Sequence, residues 1–152
     1  MASNPSSGHV IATHSISGTM TAFAAAPAIS LGAGVYTLLL EYIRPASSTG
    51  SRNTAWIDNV EVLYLDRVES FINPAGTTGL PLPDGYVTSG WTSQNVTAFD
   101  TNGYAAQSES VAIGAVSTLE KTVTFTETSI VSFKWKIASD ALDELQFRVF
   151  DA

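Results

Sequence analysis

Few residues in this chain have the types and spacing that chemistry requires. His9 and His14 lie five positions apart. Two metal ligands on one strand face would sit two or four apart, so the pair reads as surface histidines. No acidic partner or Gly-x-Ser-x-Gly turn accompanies them, so a serine-hydrolase triad has no support. Glu41 and Asp58 are the carboxylates best placed for glycoside hydrolysis, which needs two of them facing across a cleft. Ordinary polar strand positions explain both equally simply. Residues 100–103 (DTNG) open like a calcium loop, but the twelfth position is Val111 where a glutamate belongs. Asp140, Asp143 and Asp151 could hold an isolated Ca²⁺ on loop oxygens, against the simpler reading of solvated turns. No other cofactor is expected. Tyr86, Trp91 and Tyr104 could form a sugar-stacking platform, because apolar sugar faces pack on flat rings. The competing reading has them plug one end of a sandwich.

The elements that must position these groups read as strands. Val131, Phe133, Trp135 and Ile137 alternate with Ser132, Lys134 and Lys136, and Leu145, Phe147 and Val149 alternate with Gln146 and Arg148. That period of two marks half-buried strands, and the pair reads as a hairpin across the middle of a sandwich. Residues 35–43 form a strong strand with Tyr36, Leu38, Leu40 and Tyr42 on one face. Leu39 and Ile43 make its other face partly apolar, as in a central strand. Residues 54–64 form the next strand, with a bulge expected at Asp58-Asn59. Shorter candidates are 10–20, 68–72, 91–99, 104–110 and 119–126. Residues 21–29 are ambiguous, 30–34 read as a turn, and the Pro- and Gly-rich 73–89 reads as a long loop. Trp56 and Trp135 alternate with polar residues and are assigned to the core. Thr122, Thr124 and Thr126 make a flat polar face, solvated or in contact with a neighbouring subunit. No segment holds a 3.6-residue period. Many short strands at even spacing predict an all-β sandwich or jelly roll.

Composition narrows the function. The 152 residues are 45% hydrophobic and 14% charged, enough for one domain with a real core after a flexible lead over residues 1–9. Net charge is −7 and the seven basic residues are scattered, which disfavours nucleic acid and anionic membranes as partners. The absence of cysteine excludes disulfides and thiolate metal sites. Residues 1–8 carry no secretory signal, and the longest apolar run, 35–43, is too short to span a bilayer. With Met1 as the natural start, the chain is expected in the cytoplasm or on a virion surface; otherwise it is a piece of a larger extracellular protein.

Several short motifs occur together: Glu69 and Phe71, residues 83–86 (PDGY), Ser89-Gly90-Trp91, Ser117-Thr118-Leu119, and Ser132, Phe133 and Lys136. Asp143, Leu145, Phe147 and Asp151 follow; Ser17-Gly18, residues 34–38 (GVYTL) and 55–60 (AWIDNV) stand at the other end. In these pieces the chain resembles the jelly-roll, MAM- and concanavalin-like β-sandwich modules of bacterial surface proteins, which also occur in phage structural proteins. Tyr36 stands where the family usually has a histidine. The order is rotated: the family's closing half occupies about 10–64 and its opening half about 68–151. The resemblance thus implies a jelly-roll sandwich in one of three arrangements. The chain folds on itself as a circular permutant, with residues 10–17 beside 145–150; or each chain is completed by the next; or it is one period of a tandem array. The expected role is a non-catalytic structural or interaction module on the exterior of a larger assembly, such as a virion decoration (cement) or fibre protein. Self-association or other structural subunits are the expected partners. The alternative is a carbohydrate-binding or adhesion module of a bacterial surface protein; an acid/base glycosidase is a distant third.

Overall fold

The computed structural model describes residues 9–51, 53–63, 68–70, 86–94, 99 and 105–151. The expectations placed on residues 1–8, 73–85 and 100–104, including Tyr104, fall outside that set. In chain order the strands are β1 (Val10–Ser17), β2 (Ala24–Ala25), β3 (Ile29–Leu31), β4 (Gly34–Ile43), β5 (Asn53–Leu63), β6 (Val68–Ser70), β7 (Tyr86–Ser89), β8 (Trp91–Gln94), β9 (Ala105–Ser108), β10 (Val116–Phe125), β11 (Ser129–Ser139) and β12 (Glu144–Asp151). A five-stranded sheet runs β1-β12-β4-β10-β7. A seven-stranded sheet runs β2-β11-β5-β9-β8, with β3 also on β11 and β6 also on β5. The molecule is an all-β sandwich of two antiparallel sheets.

Alternation explains which side chains lie between the sheets. Along β11 the positions Val131, Phe133, Trp135 and Ile137 are buried, while Ser132, Lys134 and Lys136 are half-buried on the outer face. Along β12 Leu145, Phe147 and Val149 are buried in the same way. These two strands do not form the expected hairpin: β11 lies in the seven-stranded sheet and β12 in the five-stranded one. The link at residues 140–143 is an arch between layers, and Phe133 meets Phe147 across the core with ring centroids 4.8 Å apart at 76°. Alternating apolar residues look the same whether two strands lie side by side or face to face, so the pattern alone does not separate the two.

The two ends of the chain meet inside one molecule. Strand β1 pairs antiparallel with β12, Ala12 opposite Val149, His14 opposite Phe147 and Ile16 opposite Leu145. Strand β4 is central, between β12 and β10, and Leu39 on its outer face is 2% exposed, as the apolar second face predicts. The bulge in β5 is also present. Ser132 pairs with Glu61 and Lys134 with Asp58, which leaves one extra residue on β5; Asn59 there takes φ 51°. Several boundaries differ from the sequence reading, and two of them matter here. Residues 86–89, counted within the long loop, are strand β7, and Ser30 and Leu31, counted within a turn, belong to β3.

Candidate functional site

Strand β5 has apolar residues at both parities around residue 56, and the sheet resolves which faces inward. Ala55 and Ile57 are fully buried, so Trp56 points out. This corrects its assignment to the core; Trp135, 3% exposed, is a core residue as expected. Outward Trp56 lies between Gln107 on β9 and Lys136 on β11 in the strand register. Its indole N–H donates to the Gln107 Oε1 at 2.9 Å. That bond fixes the ring against the sheet and leaves the Gln107 amide NH₂ as a donor.

Two more rings join it on this outer face. The Lys136 ammonium sits 5.3 Å from the Trp56 ring and 6.0 Å from that of Phe23, which just precedes β2. Phe23 meets Phe99 edge-on, centroids 6.2 Å apart, and the Lys134 ammonium sits 5.0 Å from the Phe99 ring. Phe99 is 47% exposed. Its backbone N–H donates to Asp58 Oδ2 at 2.6 Å, and the Asn59 N–H donates to Oδ1 at 2.6 Å. The bulge therefore turns a buried carboxylate into an anchor for Phe99. The result is a patch of three rings and two lysines, held by β2, β5, β9 and β11. Each lysine ammonium sits over a ring.

The residues singled out from sequence are scattered by comparison. Trp91 is 2% exposed and belongs to the core, so it offers no face to a sugar. Tyr86 is half-buried at the rim of the other sheet, with the Lys121 ammonium 4.6 Å from its ring. Burial pushes its phenol above the ordinary range. A small apolar void beneath Tyr86, between Leu40, Phe133 and Phe147, measures about 20 Å³, room for roughly one water. It is too small for a ligand. Glu41 and Asp58 lie on different sheets, and Glu41 pairs with Arg148 on the outer face of the five-stranded one. His9 and Asp151 meet through the backbone, with the His9 N–H on Asp151 Oδ1 at 2.7 Å.

Asp140 and Asp143 do come together, at the arch, while Asp151 ends β12 at the opposite side of the sheet. Asp143 is fully buried and accepts a hydrogen bond from the Tyr42 hydroxyl at 3.0 Å. Its positive counterpart is Arg44, whose Nε lies 3.9 Å away. Arg44 also donates to the carbonyls of Val111 and Gly50, and Ser48 donates to Asp140 at 3.2 Å. This cluster ties three loops to one end of the sandwich. Among the described residues no group of three metal-ligating side chains converges.

Sequence reasoning missed the patch for identifiable reasons. The outward Lys134 and Lys136 were legible. Which face Trp56 takes depends on the register between β5 and β11, and Phe23 lies in an alanine-rich stretch with no periodicity. No family model, curated protein or solved structure matches this chain.

Proposed function

We propose that this chain is a non-catalytic interaction module on the exterior of a larger assembly, such as a virion decoration or fibre protein. Its partner docks on the outer face of the seven-stranded sheet. One observation carries the reading: Phe23, Trp56 and Phe99 gather on an outward sheet face with Lys134 and Lys136. Trp56 is held on a strand by its bond to Gln107, so it contributes contact area at small entropic cost, and aromatic anchors dominate binding energy at interfaces. The low charge of the chain suits a surface that is covered by neighbours. The test is incorporation of variants into the native assembly. Trp56→Ala is expected to weaken incorporation by about 30-fold, the equivalent of about 2 kcal/mol for an interfacial anchor. Thr122→Ala on the opposite sheet is expected to leave it unchanged. Equal incorporation of both variants refutes the reading.

A second reading, a carbohydrate-binding or adhesion module, draws on one feature of the same patch. Trp56 lies beside the Gln107 amide, whose NH₂ group is chemically able to donate to a sugar hydroxyl. A glycan array separates the two: signal lost in Trp56→Ala supports the sugar reading, and no signal with the unaltered chain removes it.

A further inference from the structure

Sheet edges are where β-proteins associate, and this molecule guards its edges unequally. Strands β7 and β8 have four residues each and β6 has three. Strands β2 and β3 have two and three, with Pro27 between them. Strand β1 is eight residues long and ends its sheet, with β12 on one flank and no strand on the other among the described residues. Natural edges are blunted by brevity, proline, lysine or a mid-strand bulge. The sequence VIATHSIS has no proline, no lysine and no acidic residue, and its one irregularity lies at the start, between Val10 and Ala12. A continuous run of backbone N–H and C=O groups is therefore on offer.

The side chains show the same opening. On β11 and β12 the inward apolar positions are buried, whereas β1 contains no buried residue at all. Ala12 and Ile16 touch the core yet remain half-buried, as does His14 between them. Val10 and Ile11 are 41% and 42% exposed. The inward side chains of β1 itself thus stay partly open to solvent along this flank.

We infer that β1 pairs antiparallel with β1 of a second copy about a two-fold axis, joining two five-stranded sheets into one. Three features select a second copy as the occupant. An antiparallel strand facing itself presents the hydrogen-bond ladder that it lacks, the self-complementarity of an isologous interface. The chain carries −7 net, so most approaches of two copies oppose carboxylates, whereas β1 contains no Asp, Glu, Lys or Arg. The pairing also lays the half-buried Ala12 and Ile16 of each copy against the other's edge. One strand makes a narrow contact, so the dimer is reversible and concentration-dependent. The aromatic patch lies on the other sheet, so either surface can fail its test without the other.

Sedimentation equilibrium tests the pairing. The unaltered chain is expected to reach twice its 16.0 kDa mass as concentration rises. Thr13→Lys with Ser15→Lys, two exposed outward positions, brings like charges face to face across the two-fold axis and is expected to abolish that rise. Far-UV circular dichroism of the variant is expected to match the unaltered chain. Amide exchange on the unaltered chain provides a readout without substitution: protection of β1 amides is expected to increase with concentration while that of β8 stays fixed. A chain that remains monomeric at every concentration overturns the inference. So does a lysine variant that dimerises as before, or protection that rises equally on both strands.

Discussion

Asp143 is a fully buried carboxylate, and its surroundings explain how the fold tolerates it. Tyr42 donates to one oxygen and Arg44 stands 3.9 Å from the same oxygen, with Arg44 held in turn by carbonyls of two loops. Removing one member of such a buried pair strands the other, so Asp143→Ala should cost about 3–5 kcal/mol in urea unfolding. Tyr42→Phe should cost about 1–3 kcal/mol, the penalty for leaving a buried acceptor short of a donor. Tyr42 also gives the protein an alkaline limit. Burial first, then its bond to Asp143, raise the phenol well above its ordinary value. Below pH of about 10 the phenol is neutral in both folded and unfolded chains, and its contribution is complete. Above that the unfolded chain ionises while the folded one resists, so stability falls with rising pH. Chemical unfolding from pH 8 to 11.5 should show this decline, shallower in Tyr42→Phe. Little of this was legible in sequence. Asp143 reads as a turn residue because its partners, Tyr42 and Arg44, lie about a hundred positions away. Gly50 hides a similar constraint: a Cβ there would collide with the Asp140 carboxylate.

Among the elements, β5 and β11 set which side chains face out of the seven-stranded sheet. Their pairing places Trp56 outward, and the bulge at Asn59 realigns the rest of β5 so that Val60 and Val62 return to the core. In a regular strand of the same sequence, without the bulge, those valines would face solvent, since a one-residue slip exchanges the faces of a strand. The bulge was visible in the sequence because Asp-Asn interrupts an otherwise apolar strand. Asn59 holds φ at +51°, which a β-branched residue adopts only with strain. Asn59→Val should therefore destabilise by about 1–2 kcal/mol, while Asn59→Gly should remain within about 0.5 kcal/mol of the unaltered chain. Thermal unfolding of the two variants checks this; equal midpoints would mean that the backbone conformation there is not needed. The β11–β12 connection is not legible in the same way. The alternation places both strands and their buried faces, but it makes them neighbours in one sheet. Alternation reports only that a face is buried, and the arch puts the same two faces against one another instead.

For the whole molecule, the pairing of β1 with β12 lets one chain close its own sandwich. The sequence offered three ways to join the ends, and the self-contained one is seen within a single chain. Deleting residues 1–17 should lower the thermal midpoint, because Leu145, Phe147 and Val149 would then lie on an exposed edge; an unchanged midpoint would show that β1 is dispensable. Closure leaves two large outer faces of unlike character. One carries Thr122 and Thr124 in solvent, and the other carries the three rings and two lysines. That difference singles out the aromatic face as the docking surface. Hydroxyl-radical footprinting of the chain, isolated and within its native assembly, measures it directly. The account predicts that oxidation of Phe23, Trp56 and Phe99 drops several-fold on assembly while exposed Val87, on the five-stranded sheet, reacts as before. Undiminished oxidation of the three rings in the assembly would contradict it.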